Sequence, residues 1–261
     1  MSSDPRLSLP VWDALTSAER EDAALALAGC LPAPFTFKGL KTYSLADQTH
    51  EVAAFGWKRS TFLLIPGAAA VLGFDKNASG FPNAAQQESW RPMKALLRLG
   101  LNEFLRNAMT APRTAVMKPF LMEASPTVLP EVTSWHQVKG RVEKTGFALP
   151  TPDQWEYACA AGSRTFFRWG DACPLDVRPT DKSAWTLHRQ PNAFGLRLPS
   201  DSNTWELTSE RGIMRGGNGW RWGYVGGIAD WLPLSTAFTV AGEDKYEVIC
   251  HASLRRVFLL T

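Results

Sequence analysis

The chain has 261 residues, 45% of them hydrophobic and 20% charged, with a formal charge of +3. That length makes one large domain or one domain with an extension. The 28 basic residues are spread along the chain and form no patch for nucleic acid. Cys30, Cys159, Cys173 and Cys250 form no C-x-x-C pair, which argues against a zinc site and for a reducing cytoplasm. The N-terminus lacks an apolar signal core, and no apolar run is long enough to span a bilayer, so the expected setting is cytoplasmic, with no membrane partner. Eleven tryptophans among 20 glycines point to irregular structure pinned by buried aromatics.

Residues 12–29 read as a helix, with Thr16–Glu19 as a capping box and Gly29 as its stop. LPAPFTFKGL, with two prolines, reads as a connector. Strands follow, broken at Pro66-Gly67, and the apolar run from Thr61 to Ile65 reads as a buried strand. Residues 88–108 carry Met93, Leu96, Leu97, Leu101, Phe104 and Leu105 at helical spacing, a stripe expected to face the core. After Pro112 the chain reads as strands and loops. At 151–162 Thr151 is an N-cap, Pro152 suits the first helical position and Gln154 completes a capping box. Trp155, Ala158 and Cys159 then share one buried face, and Gly162 supplies the left-handed stop. Beyond residue 171 there is no long helical pattern, only glycine, tryptophan and short apolar pieces.

Three segments carry a family resemblance. LPTPDQWEYACAAG runs on to FFRWGD, Asn192-Ala-Phe-Gly-Leu196 leads to Ser202-Asn-Thr-Trp-Glu-Leu-Thr208, and Met214-Arg-Gly-Gly-Asn-Gly-Trp220 follows. In order and spacing they resemble the formylglycine-generating enzyme, or sulfatase-modifying factor, family. Phe62-Leu-Leu-Ile-Pro-Gly67 is similar to that family's opening turn, and Ser253 to Phe258 to its closing strand. The resemblance implies an α+β fold of the C-type-lectin-like kind, irregular and loop-rich with few helices, and a bacterial protein. It places the domain at 56–261 and leaves 1–55 as an N-terminal extension with one helix.

The family's chemistry does not carry over residue by residue. Copper-dependent oxidation of a substrate cysteine needs two thiolates after the Arg-Gly-Gly motif, because soft thiolates select copper(I). The stretch from Arg221 to Ala237 contains no cysteine, and Cys250 stands alone. Related iron enzymes use an H-x-x-x-H-x-E stretch. His50, His136, His188 and His251 are far apart and form none. Some members hold calcium, and Asn203 and Glu206 match those positions with hard oxygen ligands. No G-x-S-x-G elbow, P-loop or dinucleotide fingerprint occurs.

The expected function is therefore that of a non-catalytic module, a pseudoenzyme scaffold that binds a protein or a small ligand, with no catalytic residue and no cofactor beyond calcium. Arg215, Asn218, Arg221, Trp222, Tyr224 and Trp231 are its expected binding surface, since Trp and Arg dominate binding hot spots. Diversity-generating retroelement variable proteins use the same scaffold for display and are one specific version. The rival from another class is a metal-dependent oxidase or oxygenase, copper or non-haem iron, with a divergent site built from Cys250, His251 and a distant histidine. A third is a lectin that stacks sugars on tryptophan.

Overall fold

The computed structural model describes residues 4–76, 80–129, 134–217, 225–241 and 252–260. In chain order come helices α1 (Leu9–Ala14) and α2 (Ser17–Cys30), then strands β1 (Thr36–Leu45), β2 (Gln48–Trp57), β3 (Ser60–Ile65) and β4 (Ala68–Leu72). Helices α3 (Ala84–Ser89), α4 (Arg91–Leu97) and α5 (Leu101–Ala108) precede strands β5 (Arg113–Met117), β6 (Phe120–Glu123) and β7 (Thr127–Val128). Helices α6 (Trp135–Glu143) and α7 (Pro152–Ala160) follow, and then β8 (Trp205–Leu207), β9 (Ile213–Arg215), β10 (Thr239–Ala241), β11 (Ala252–Leu254) and β12 (Val257–Leu259). This is a mixed α+β, loop-rich architecture. Among the described residues the helices are short, and the longest, α2, has 14 residues.

One sheet runs β1-β2-β3-β6-β12, with every pair antiparallel. A second runs β10-β9-β8-β11-β7, and β4 pairs with β5 as a separate two-stranded antiparallel sheet. The first sheet divides two cores. Successive strand residues point to opposite faces, so Phe62 and Leu64 of β3 join one apolar cluster while Leu63 and Ile65 join the other. In β6, Leu121 and its neighbours Phe120 and Met122 part in the same way. β6 and the Phe62–Ile65 part of β3 are buried on both faces, which is why that run is apolar without alternation, while Thr61 is exposed. Each such side chain contributes roughly 1.5–3 kcal/mol on full burial.

Helix α7 lies on one of these cores through Trp155, Tyr157, Ala158 and Cys159. Its capping box is formed: Gln154 N–H donates to Thr151 Oγ1 at 3.0 Å, and Thr151 N–H donates to Gln154 Oε1 at 2.9 Å. The left-handed stop starts one residue earlier than expected. Ala161 takes φ 47° and Gly162 follows with φ 87°.

Three expectations about single elements need correcting. The first helix continues past Gly29 to Cys30 and ends at Leu31 in extended backbone, so Gly29 is helical and not the stop. It is also preceded by a separate turn of helix, α1, since Leu15 and Thr16 are extended. Residues 88–108 do not form one helix. Arg98 adopts φ 55°, and Gly100 caps a new start at Leu101. The break sets the two helices in separate phases: Met93 of α4 and Leu101, Phe104 and Leu105 of α5 reach the core, while Leu96 of α4 is 68% exposed. The connector after Pro34 is short, because β1 already begins at Thr36. Residue 55, the expected domain boundary, falls inside β2, and β2 pairs with β3.

Candidate functional site

The motif residues converge on buried guanidinium–carboxylate pairs. Glu156, one position after the α7 core Trp155, is 2% exposed. Its Oε2 accepts from Arg215 Nη2 at 3.0 Å, Arg113 Nη2 at 2.9 Å and Thr110 Oγ1 at 2.9 Å. Its Oε1 accepts from the Gly73 N–H. Arg215, at the end of β9, is 1% exposed and also faces the Ala237 and Phe238 carbonyls. Burial lowers the Arg215 pKa, and the Glu156 carboxylate works against that shift. The Arg-Gly-Gly motif therefore anchors β9 to α7. Its second glycine is dictated by close approach, since a Cβ on Gly217 would sit 1.8 Å from the Thr204 carbonyl oxygen.

Glu206 of β8 is the second hub and is fully buried. Arg255 donates Nη2 to Oε1 at 2.9 Å and Nε to Oε2 at 3.1 Å, and Trp155 Nε1 donates to Oε2 at 2.9 Å. Glu206 is the position where calcium was expected. The guanidinium already supplies the positive charge that a calcium ion would bring, in bidentate geometry. Asn203 is buried, and its N–H donates to Asp201 Oδ1 at 2.9 Å within a turn. Among the described residues no group of three His, Cys, Asp or Glu side chains is gathered for a metal. The third hub is Glu123 at the end of β6, whose Oε1 and Oε2 accept from Arg256 Nη2 at 2.6 Å and Nε at 2.9 Å.

The Trp-Gly-Asp turn is a lock. Phe167 and Gly170 exchange backbone hydrogen bonds at 3.0 and 3.1 Å, and Gly170 adopts φ 125°. Asp171 Oδ1 accepts the Phe166 N–H at 2.7 Å, and the Trp169 indole donates to the Ala172 carbonyl at 2.9 Å. The Asn192–Leu196 motif is another lock. Asn192 Nδ2 donates to the Ala158 and Cys159 carbonyls at 2.6 and 3.0 Å, and its Oδ1 accepts the Leu196 N–H at 2.9 Å.

Of the expected binding surface, Asn218, Arg221, Trp222 and Tyr224 lie outside the described residues, as do Trp220, Cys250 and His251. Arg215 and Trp231 are buried, which withdraws both from an exposed surface. Trp231 has no exposed area; its ring meets those of His188 and Trp169 edge-on, and its indole donates to the Val177 carbonyl at 3.1 Å. Trp205 is part of the core. His50 bridges Asp13 and the Ala161 carbonyl at 3.0 and 3.2 Å, His136 is exposed, and His188 is buried. Burial pushes the Cys159 and Cys173 thiols up to about 12, so neither is a thiolate at neutral pH. Sequence reasoning missed Glu156, Arg113, Glu123 and Arg256. The available signal was a charged residue placed next to a core aromatic or inside an apolar run.

No protein-family model matches the chain. No curated protein matches it either. Among solved structures it is similar to Treponema denticola variable protein 1, at 11% identity and a TM-score of 0.44, over 87% of this chain and 99% of that one.

Proposed function

We propose that this chain is a non-catalytic binding module on a scaffold of the formylglycine-generating type. Its contact surface is carried by the 218–224 segment through Asn218, Arg221, Trp222 and Tyr224. One observation supports the reading above all: the charged residues of the family motifs are buried and neutralise one another. Glu156 faces Arg215 and Arg113, and Glu206 faces Arg255, so these groups hold the scaffold together. The flanks of the segment are held as well. Gly217 abuts the Thr204 carbonyl, and the Val225 and Gly226 N–H groups donate to the Asp230 carboxylate at 2.9 and 3.1 Å. Ends held in this way suit a rigid frame that presents a variable contact segment. The more specific form of the reading is a retroelement variable protein, and a template repeat beside a reverse-transcriptase gene is its genomic signature.

Thermal melting of the Trp222→Ala, Tyr224→Ala double variant tests the surface. Contact residues leave Tm within about 2 °C of the parent, because exposed substitutions change stability by less than about 0.5 kcal/mol. A fall of about 10 °C or more places these aromatics in the core and removes the surface. Native mass spectrometry after incubation with copper(I) or iron(II) tests the rival. One tightly held ion per chain overturns the binding-module reading.

A further inference from the structure

A polar groove of about 490 Å³ lies apart from residues 215–231. It is bounded by the end of β1, the β2–β3 turn, the segment after β6 and the 191–197 loop. Lys41, Arg59 and Arg197 line it, and all three are exposed. Among the described residues no carboxylate lies within 4.0 Å of any of the three. The one lining carboxylate, Glu123, is engaged by Arg256 in a two-point pair and does not neutralise them. Among the described residues the groove thus holds three cations without a paired carboxylate, in a chain whose whole formal charge is only +3. Ser60, Thr61, Ser125 and Thr127 add hydroxyls to the same walls.

The walls are preorganised. Gly195 adopts φ +79°, and the Tyr43 ring lies within 2.5–2.8 Å of where its Cβ would stand, so the ring rests directly on the glycine. Lys41 Nζ sits 5.1 Å from the Tyr43 ring centre. The Arg197 N–H donates to the Ala124 carbonyl at 2.8 Å, and its own carbonyl accepts from the buried Arg255 at 2.6 Å. Arg197 is therefore mounted on the frame that the Asn192 turn locks, which lowers the ordering cost of binding.

We propose that this groove binds a phosphate group, as the free ion or as the head of a small organic phosphate. Guanidinium forks match phosphate oxygens in two-point geometry, an ammonium adds a point charge, and hydroxyls donate to the remaining oxygens. The Tyr43 edge and Pro126 and Pro191 offer apolar walls to the body of an ester. The groove volume is within the usual range for small-ligand sites, about 300–1,000 Å³.

The test is isothermal titration calorimetry on the full chain at constant ionic strength, with inorganic phosphate, ribose 5-phosphate and ribose as probes. The Arg59→Gln, Arg197→Gln double variant is titrated alongside, with its melting curve as a check on folding. Saturable binding of phosphate or ribose 5-phosphate, none of ribose, and a loss of about tenfold or more in the variant are expected. Equal affinity for the two anions assigns the free ion, and tighter binding of the ester assigns an organic phosphate. No saturation by either anion below about 10 mM, or an unchanged affinity in the folded variant, overturns the proposal.

Discussion

At the scale of single residues, the motif side chains act as fasteners. Glu206 shows the energetics clearly. It is fully buried, and Arg255 faces it with no exposure of its own. Removing one partner of such a pair leaves the other charge stranded in low dielectric, a loss of about 3–5 kcal/mol. Glu206→Gln keeps the size and an acceptor oxygen for the Trp155 indole but strands Arg255. The variant is expected to unfold at lower urea, with ΔG reduced by about that amount. A change below about 1 kcal/mol would mean that Arg255 finds other partners without cost. Calcium added to the parent chain is expected to leave Tm unchanged; a rise that saturates with calcium would return Glu206 to the role of ligand.

At the scale of elements, α7 is where local and tertiary signals agree. The Thr151 cap is exposed, and its bonds to Gln154 are local. The buried face then inserts Trp155, Ala158 and Cys159 into the core. Thr151→Ala is expected to lower stability by about 1 kcal/mol, read as a shift of the urea midpoint at constant slope. No shift would mean that the packed face alone holds the helix start. The 84–108 region behaves in the opposite way. Its apolar spacing suggests one helix, but Arg98 turns left-handed and Gly100 starts a new one. A stripe of leucines records hydrophobic period and not where the phase is reset.

At the scale of the whole molecule, the first sheet is the organising layer. It joins strands from both ends of the chain, with β1 and β2 on one side and β12 on the other. The N-terminal helices are tied to it, since the Trp12 indole donates to the Glu51 carbonyl at 2.7 Å and Arg20 pairs with Glu51 at 2.9 Å. A chain beginning at residue 56 lacks β1 and most of β2. It leaves the β3 edge unpaired and uncovers the Phe62 side of the core. Such a chain is expected to be insoluble or to melt without cooperativity. A soluble product with a sharp native-like transition would make 56–261 a self-sufficient domain.

The local features were legible in the residues themselves. Both expected capping boxes are formed at Thr16 and Thr151, the Thr61–Ile65 run is a strand buried from Phe62 onward, and the last third has no α-helix among the described residues. These follow from interactions within a few residues, which the order of side chains determines directly. Tertiary structure decided what each motif residue is for. Arg215 and Trp231 have the composition of a binding surface, yet partners far along the chain, such as Glu156 and Val177, draw both inside. The Lys41, Arg59 and Arg197 groove is equally invisible in one dimension, because its cations lie on three segments that only the sheet and the Asn192 turn bring together. Charge in a sequence is a count; only folding decides whether a guanidinium meets a carboxylate in the core or faces a groove without one.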